Sequence, residues 1–170
     1  MAQLEWSEAL ALDLPLMDDT HREFVDLLAA VERADDAHLL SAWYALVEHT
    51  DNHFSLEDAW MASTRFASGN CHSMQHKVVL QVMREGAMRA QQGDLKVLRV
   101  MASELALWFP QHAQSMDAAL ALHLRRVGFD PSTGVVHMPQ ALPGELIHGC
   151  GGATCSDAPE DSEAAQGVPA

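Results

Sequence analysis

Apolar residues recur at intervals of three and four along four long stretches of the chain, with polar residues between them. This period is typical of amphipathic α-helices that bury one face. The stretches cover residues 18–34, 37–61, 71–91 and 94–126. Because the connections between them are short, the pattern predicts an all-α fold, an antiparallel up-down-up-down four-helix bundle. The inward stripes include Phe24 and Leu28, then Trp43 and Leu46, then Met83, and finally Leu98, Leu105 and Leu122.

Local signals suggest where these helices begin and end. Thr20 and Glu23 have the spacing of a capping box, which predicts a first helix beginning near residues 18–20. Gly93 follows the third stretch, and Asp94 is a suitable N-cap for the fourth helix. Pro110 lies inside the fourth stretch, where it removes one backbone donor and predicts a kink.

The segments that flank the helices differ from them in pattern. Apolar residues partly alternate around Pro15 in residues 1–17, which predicts an extended arm across the bundle. From Val127 onward there are seven glycines, five prolines, six acidic residues and no Lys or Arg. We therefore predict a helical domain over residues 1–127 and a largely disordered acidic tail over residues 128–170.

Polar side chains interrupt the apolar stripes at one level of the predicted bundle. The second and third stripes each hold a pair of ligand-type residues four apart, so each pair shares a helix face. The inward polar residues are His21, His53, Glu57, His72, His76 and His112. A single inward histidine is more often a hydrogen-bonded core residue than a metal ligand. Here all four helices carry one, and satisfying five imidazoles and a carboxylate without water or metal would be costly.

The remaining histidines and cysteines fit this level less well. His38, His49 and His123 fall outside it, and we predict peripheral or surface positions for them. Glu145 and His148 have a spacing found in carboxylate di-iron sites, but the pair is solitary and lies in the tail. Cys71 is expected to point away from the metal face. Cys150 and Cys155, near His148, leave open a soft-metal site or a redox pair.

Charge and composition exclude several classes of function. The formal net charge is −14, from 24 acidic and 10 basic residues, which argues against nucleic-acid and anionic-membrane partners. No apolar run reaches the roughly 18 residues needed to span a bilayer. The start of the chain lacks the pattern of a signal peptide, so we predict a cytoplasmic protein. Three cysteines do not suggest a disulfide framework.

Over residues 4–126 the chain resembles the hemerythrin family. That family combines an N-terminal Trp, a His in the first helix, and the motifs H-x-x-x-E, H-x-x-x-H and H-x-x-x-x-D. The matching residues here are Trp6, His21, His53 to Glu57, His72 to His76, and His112 to Asp117. Each motif is weak alone, whereas the ordered set is specific.

The resemblance implies a non-haem di-iron centre inside the bundle, with two iron ions bridged by an oxo or hydroxo group. By similarity, His72, His76 and His112 would bind one iron. His21 and His53 would bind the other iron, which would keep a vacant position for dioxygen. Glu57 and Asp117 would bridge the two ions. Independently, a site rich in imidazole suits reversible oxygen binding better than the carboxylate-rich sites that activate oxygen.

Several positions depart from the family pattern or from simple geometry. Asp117 lies five residues after His112, about 140° around a regular helix, so only the resemblance places it beside the other ligands. Phe109 stands where the family commonly has Leu, Ala113 is smaller than usual, and Thr20 replaces a common Gln. With Trp108, we expect Phe109 and Ala113 to line the ligand pocket.

The sequence thus predicts an oxygen-binding protein for carriage, storage or sensing rather than an enzyme. A di-iron enzyme on the same site, such as a peroxidase, a ferroxidase or a nitric-oxide-handling protein, is the competing interpretation. A third is a signalling module, which would need a separate signalling or redox partner because no output domain is visible in the tail.

Overall fold

The computed structural model describes residues 4–66 and 71–146. Its helices are α1 (Pro15–Arg33), α2 (Leu39–Ser63), α3 (Cys71–Gln91), α4 (Lys96–His112) and α5 (Ala118–Arg126). A π-helical turn, Ala113–Asp117, joins α4 to α5, so these three pieces form one long helical element. Short 3-10 turns occupy Glu8–Leu10 and Pro139–Ala141, and the strands β1 (Phe129–Asp130) and β2 (Val135–Val136) form a hairpin.

The helices pack in the order of the chain. Helix α1 contacts α2, α2 contacts α3, α3 contacts α4, and α4 closes the bundle against α1. The predicted four-helix bundle is therefore confirmed. No helix in the described parts of the chain is long and apolar enough to cross a membrane.

Two predicted helix starts are wrong. Helix α1 begins at Pro15, whose fixed φ suits the first helical position, and Thr20 lies inside the helix with its hydroxyl donating to Leu16 O at 2.8 Å. Asp18 instead holds the N-terminal arm against α1, because its Oδ1 accepts a hydrogen bond from Leu12 N at 2.7 Å.

The predicted start of the fourth helix also differs, because α4 begins at Lys96 without a side-chain cap. Asp94 does not cap it, since its carboxylate accepts from the Arg89 guanidinium.

Buried apolar side chains form two clusters with the polar level between them. The main cluster includes Phe24, Trp43 and Leu46, and the second cluster includes Trp60 and Leu120. Along α2, the predicted ligands His53 and Glu57 lie between Val47 of the main cluster and Trp60 of the second cluster. The polar level is thereby sealed by apolar packing at both ends of the bundle.

The π-helical turn changes which residues face inward after it. A regular helix predicts Leu122 on the inward stripe, but its side chain is 62% exposed. Leu120 and Leu124 are fully buried instead. A π turn accommodates one extra residue, so the inward face shifts by one position. The prediction for Leu122 was wrong for this reason.

The arm and the first part of the predicted tail pack against the bundle. Leu10 and Leu14 are buried, and Arg22 lies 4.7 Å from the centroid of the Trp6 ring. In the hairpin, Phe129 pairs with Val136, and Phe129 is buried in the second cluster. Residues 128–146 thus include ordered structure that the sequence did not predict. The predictions for His148, Cys150 and Cys155 concern positions outside the described residues.

Candidate metal centre

Helix α2 contributes a histidine and a carboxylate to the polar level. His53 and Glu57 stand one turn apart, and their Nε2 and Oε1 atoms are 2.9 Å apart. Glu57 is fully buried and His53 nearly so. An ionised carboxylate in such a position is costly unless cationic groups or a metal compensate it.

Helix α3 brings two imidazoles to the same carboxylate. His72 and His76 also stand one turn apart, and each Nε2 lies 3.4 Å from Glu57 Oε2. Both histidines are buried. As predicted from the i, i+4 spacing, both rings lie on one face of α3 and are directed at Glu57.

The π-helical turn brings Asp117 to the face of His112. In a regular helix the two residues would diverge, but here His112 Nε2 and Asp117 Oδ1 are 3.1 Å apart. Asp117 Oδ1 also lies 3.0 Å from His72 Nε2. The i+5 spacing that no regular helix explains is matched by a turn with i to i+5 hydrogen bonding.

Helix α1 supplies one imidazole on the opposite side. His21 Nε2 lies 3.2 Å from Asp117 Oδ2 and 3.9 Å from Glu57 Oε1. Its ring centroid is 5.0 Å from that of His53. We call His21 and His53 the two-imidazole group, and His72, His76 and His112 the three-imidazole group.

Each carboxylate divides its oxygens between these groups. Glu57 turns Oε1 toward the two-imidazole group and Oε2 toward the three-imidazole group. Asp117 turns Oδ2 toward His21 and Oδ1 toward His72 and His112. The ligand-type atoms fall into two sets, each compact enough to hold one ion, with Glu57 common to both. Two bridged metal positions are compatible with this arrangement.

The hydrogen-bonding state of these atoms favours metal binding. The Nε2 atoms of His21, His72, His76 and His112 are buried without a hydrogen-bond partner, as are Glu57 Oε2 and both oxygens of Asp117. They approach one another at 3.0–3.4 Å, but without the alignment that a hydrogen bond requires. Converging lone pairs of this kind are satisfied when a cation lies between them.

The pKa shifts of the site residues indicate that bound protons balance part of the carboxylate charge when no metal is bound. Burial would raise the pKa values of both Glu57 and Asp117, and the Asp117 charge would raise that of Glu57 further, but the surrounding imidazoles hold both pKa values well below the usual range. Burial would lower the pKa of His72, but Asp117 and Glu57 outweigh it and raise this pKa to about 10. In the metal-free protein, protons thus take over part of the compensating charge. Metal binding would displace them.

Two residues that the sequence did not single out contact the outer side of the ligands. Asp58 Oδ1 lies 3.0 Å from His76 Nδ1, and Gln75 Oε1 lies 3.2 Å from His112 Nδ1. Each is next in sequence to a ligand, Glu57 or His76, but side chains one position apart point in different directions on a helix. No periodic signal marks them.

The three residues predicted to line a ligand pocket lie on different sides of the centre. The Phe109 ring meets the His21 ring edge-on, with centroids 5.2 Å apart, and stacks on Phe24. Ala113 is fully buried in the main cluster. Trp108 is partly buried and stacks on His112 in the three-imidazole group, with ring centroids 4.5 Å apart.

The other histidines belong to neither ligand group. His38 is exposed, as predicted, and His49 is partly buried with Nε2 3.1 Å from Thr20 O. His123 is buried rather than on the surface, and its Nε2 donates to Thr64 O at 2.9 Å. His123 thus lies outside the ligand groups, as predicted, but not at the surface, because its ring packs against Phe66 and bonds to the backbone at the end of α2. Cys71 is partly buried at the start of α3.

Fold and site together define a four-helix bundle with a buried histidine and carboxylate centre suited to a non-haem metal. The family model described as the hemerythrin HHE cation binding domain matches residues 12–122. A protein named bacteriohemerythrin from Ralstonia nicotianae is 39% identical over 130 residues, covering 76% of this chain and 95% of that protein. The chain belongs to the hemerythrin family.

More distant relatives carry the same name. Bacteriohemerythrin of Pseudomonas paraeruginosa is 24% identical over 122 residues, covering 69% of this chain and 79% of the relative. Bacteriohemerythrin of Stenotrophomonas maltophilia is 23% identical over 128 residues, covering 71% and 81%. No solved structure matches the chain.

Proposed function

We propose that the chain is a di-iron protein that reversibly binds dioxygen for carriage, storage or sensing, and is not an enzyme. The three-imidazole group would hold one iron and the two-imidazole group the other. Glu57 and Asp117 would bridge the two ions, together with an oxo or hydroxo group from solvent. Iron in this setting supplies reversible one-electron chemistry and a position for dioxygen.

The observation that carries this proposal is the unequal distribution of imidazoles around two divided carboxylates. Each carboxylate offers one oxygen to each group, while three imidazoles face one side and two face the other. Two similar ions bound here would differ by one protein ligand. The difference leaves the two-imidazole side as the one that can accept an external ligand.

The surroundings of the two-imidazole group support binding without further chemistry. Phe109 and Phe24 form a stacked pair, 4.4 Å between centroids, with Phe109 against His21. Both rings are almost fully buried. An apolar wall keeps water and protons away from a bound ligand, which favours its release unchanged. We propose that Phe109 and Ala113 shape this pocket, whereas Trp108, which stacks on His112, borders the three-imidazole side of the centre.

The ligand types point the same way. Five neutral imidazoles and two carboxylates leave a pair of ferrous ions with a modest positive charge. Sites with four carboxylates and two imidazoles stabilise higher oxidation states and so suit oxygen activation. The present set is better suited to taking up dioxygen and returning it.

Spectroscopy of the iron-loaded protein tests the proposal. The protein is reduced without oxygen, exposed to oxygen, and then deoxygenated while its visible absorption is followed. We expect a ligand-to-metal band that forms on oxygenation and disappears on deoxygenation over several cycles. Irreversible oxidation at the first exposure, or catalytic consumption of peroxide, would contradict reversible binding and favour the enzyme interpretation.

A further inference from the structure

Two ligands of the three-imidazole group have a hydrogen-bond acceptor at the outer ring nitrogen. For His76 the acceptor is the Asp58 carboxylate, and for His112 it is the Gln75 side-chain oxygen, which also accepts from Trp108 Nε1 at 3.3 Å. A carboxylate can only accept, so the proton in the His76–Asp58 pair is on Nδ1. The Nε2 lone pair of His76 is then directed at the metal position.

The two acceptors differ in charge. Gln75 is neutral, whereas Asp58 carries a full negative charge when ionised. An anionic acceptor draws the Nδ1 proton toward itself and makes the imidazole a stronger electron donor at Nε2. His76 is therefore the ligand whose strength depends most on a residue outside the ligand set.

Asp58 also stands between this ligand and solvent. It lines a cavity of about 350 Å³ between α2 and α3, together with Phe54, His76 and Lys77. The Phe54 ring lies almost parallel to the His76 ring, with centroids 3.9 Å apart, and fixes its plane. The Asp58 side chain is 37% exposed, so solvent screens its charge in part but does not remove it.

We propose that Asp58 is a positioning residue for the metal centre, which fixes the tautomer of His76 and uses its charge to strengthen His76 as a ligand. The inference depends on the metal centre proposed above, but it does not depend on whether that centre binds dioxygen. A stronger donor stabilises ferric iron more than ferrous iron. Asp58 is therefore expected to slow iron loss and to lower the midpoint potential of the centre.

The alternative is that Asp58 has only a structural role and stabilises the packing of α2 against α3. Substitutions separate the two roles. Asp58→Asn keeps an oxygen that can accept from Nδ1 but removes the charge, Asp58→Ala removes both, and Asp58→Glu keeps the charge. The matched control is Asp51→Asn, which removes a charge from the same cavity. Asp51 lines this cavity and pairs with Arg84 at 2.7 Å.

Three measurements on full-length protein decide between these roles: the rate of iron release to a chelator, the midpoint potential, and the thermal unfolding of the metal-free form. We expect Asp58→Ala to weaken iron retention about 10- to 100-fold, the range typical for such outer residues. Asp58→Asn should weaken it less, shift the midpoint potential upward and leave metal-free unfolding close to wild type. Asp58→Glu should recover part of the retention, and Asp51→Asn should match wild type in all three.

The inference is overturned if Asp58→Asn retains iron and potential like wild type, or if Asp51→Asn shifts them equally. Wild-type protein that holds iron and shows the expected order of variants, yet does not release oxygen, would contradict the oxygen-binding proposal while supporting the role of Asp58. Wild-type protein that takes up no iron would overturn both.

Discussion

The groups that contact the two ring nitrogens of a buried imidazole determine what the residue does. His76 has Asp58 on one nitrogen and the candidate metal position on the other. His123 instead donates to a backbone carbonyl at the end of α2 and packs against Phe66, with ring centroids 4.8 Å apart. Its burial lowers its pKa, with the nearby Arg126 charge acting in the same direction.

We predict that His123→Ala destabilises the protein by about 1–3 kcal/mol near pH 8, because Thr64 O loses its buried partner. The folded state holds His123 neutral, with a pKa below the ordinary 6.5. As the pH falls from about 7 to 5, the unfolded chain therefore binds a proton that the folded protein resists, and wild type loses stability. The variant lacks this loss, so the difference in stability should narrow toward acid.

Urea unfolding at a series of pH values measures this difference. His38→Ala serves as the control, since that side chain is 76% exposed and its removal should change stability by no more than about 0.5 kcal/mol. A difference between wild type and His123→Ala that widens toward acid would contradict the assignment of a neutral, buried His123.

The π-helical turn determines which residues of the fourth helical element face the site. Regular helical period was enough to predict the inward stripes as far as His112, including the i, i+4 pairs of α2 and α3. It could not predict the position of Asp117 or the burial of Leu120 and Leu124, because the extra residue of a π turn has no periodic signature in the sequence. Only resemblance to a family indicated Asp117.

Changing the length of this turn tests its role. Deleting the exposed Ser115 leaves His112 and Asp117 four positions apart, the spacing that shares a face of a regular helix. We expect this variant to fold, keep its inward stripes in register and retain metal as well as wild type does. Inserting one alanine after Ser115 should move Asp117 off the ligand face and weaken metal retention.

Metal content and helical circular dichroism of the two variants give the result. Equal retention by the deletion and insertion variants would show that the spacing is not what holds Asp117 in the site. Loss of metal only in the deletion variant would contradict the account of the π turn as one inserted residue.

For the whole molecule, the site exists because two apolar clusters enclose a polar level that neither cluster can satisfy. The sequence predicted the bundle and the inward histidines, because both depend on period and on residue type along single helices. It did not identify Asp58 and Gln75, whose roles depend on how neighbouring helices are rotated. It also missed the hairpin, because Phe129 is stabilised by contact with the second cluster rather than by local pattern.

The iron content of the purified protein tests the central claim most directly. Iron bound per folded chain is measured after anaerobic loading and removal of loosely bound metal. Five imidazoles and two divided carboxylates predict two iron ions per chain. A single iron, or a preference for zinc with no second ion, would contradict a centre bridged by Glu57 and Asp117.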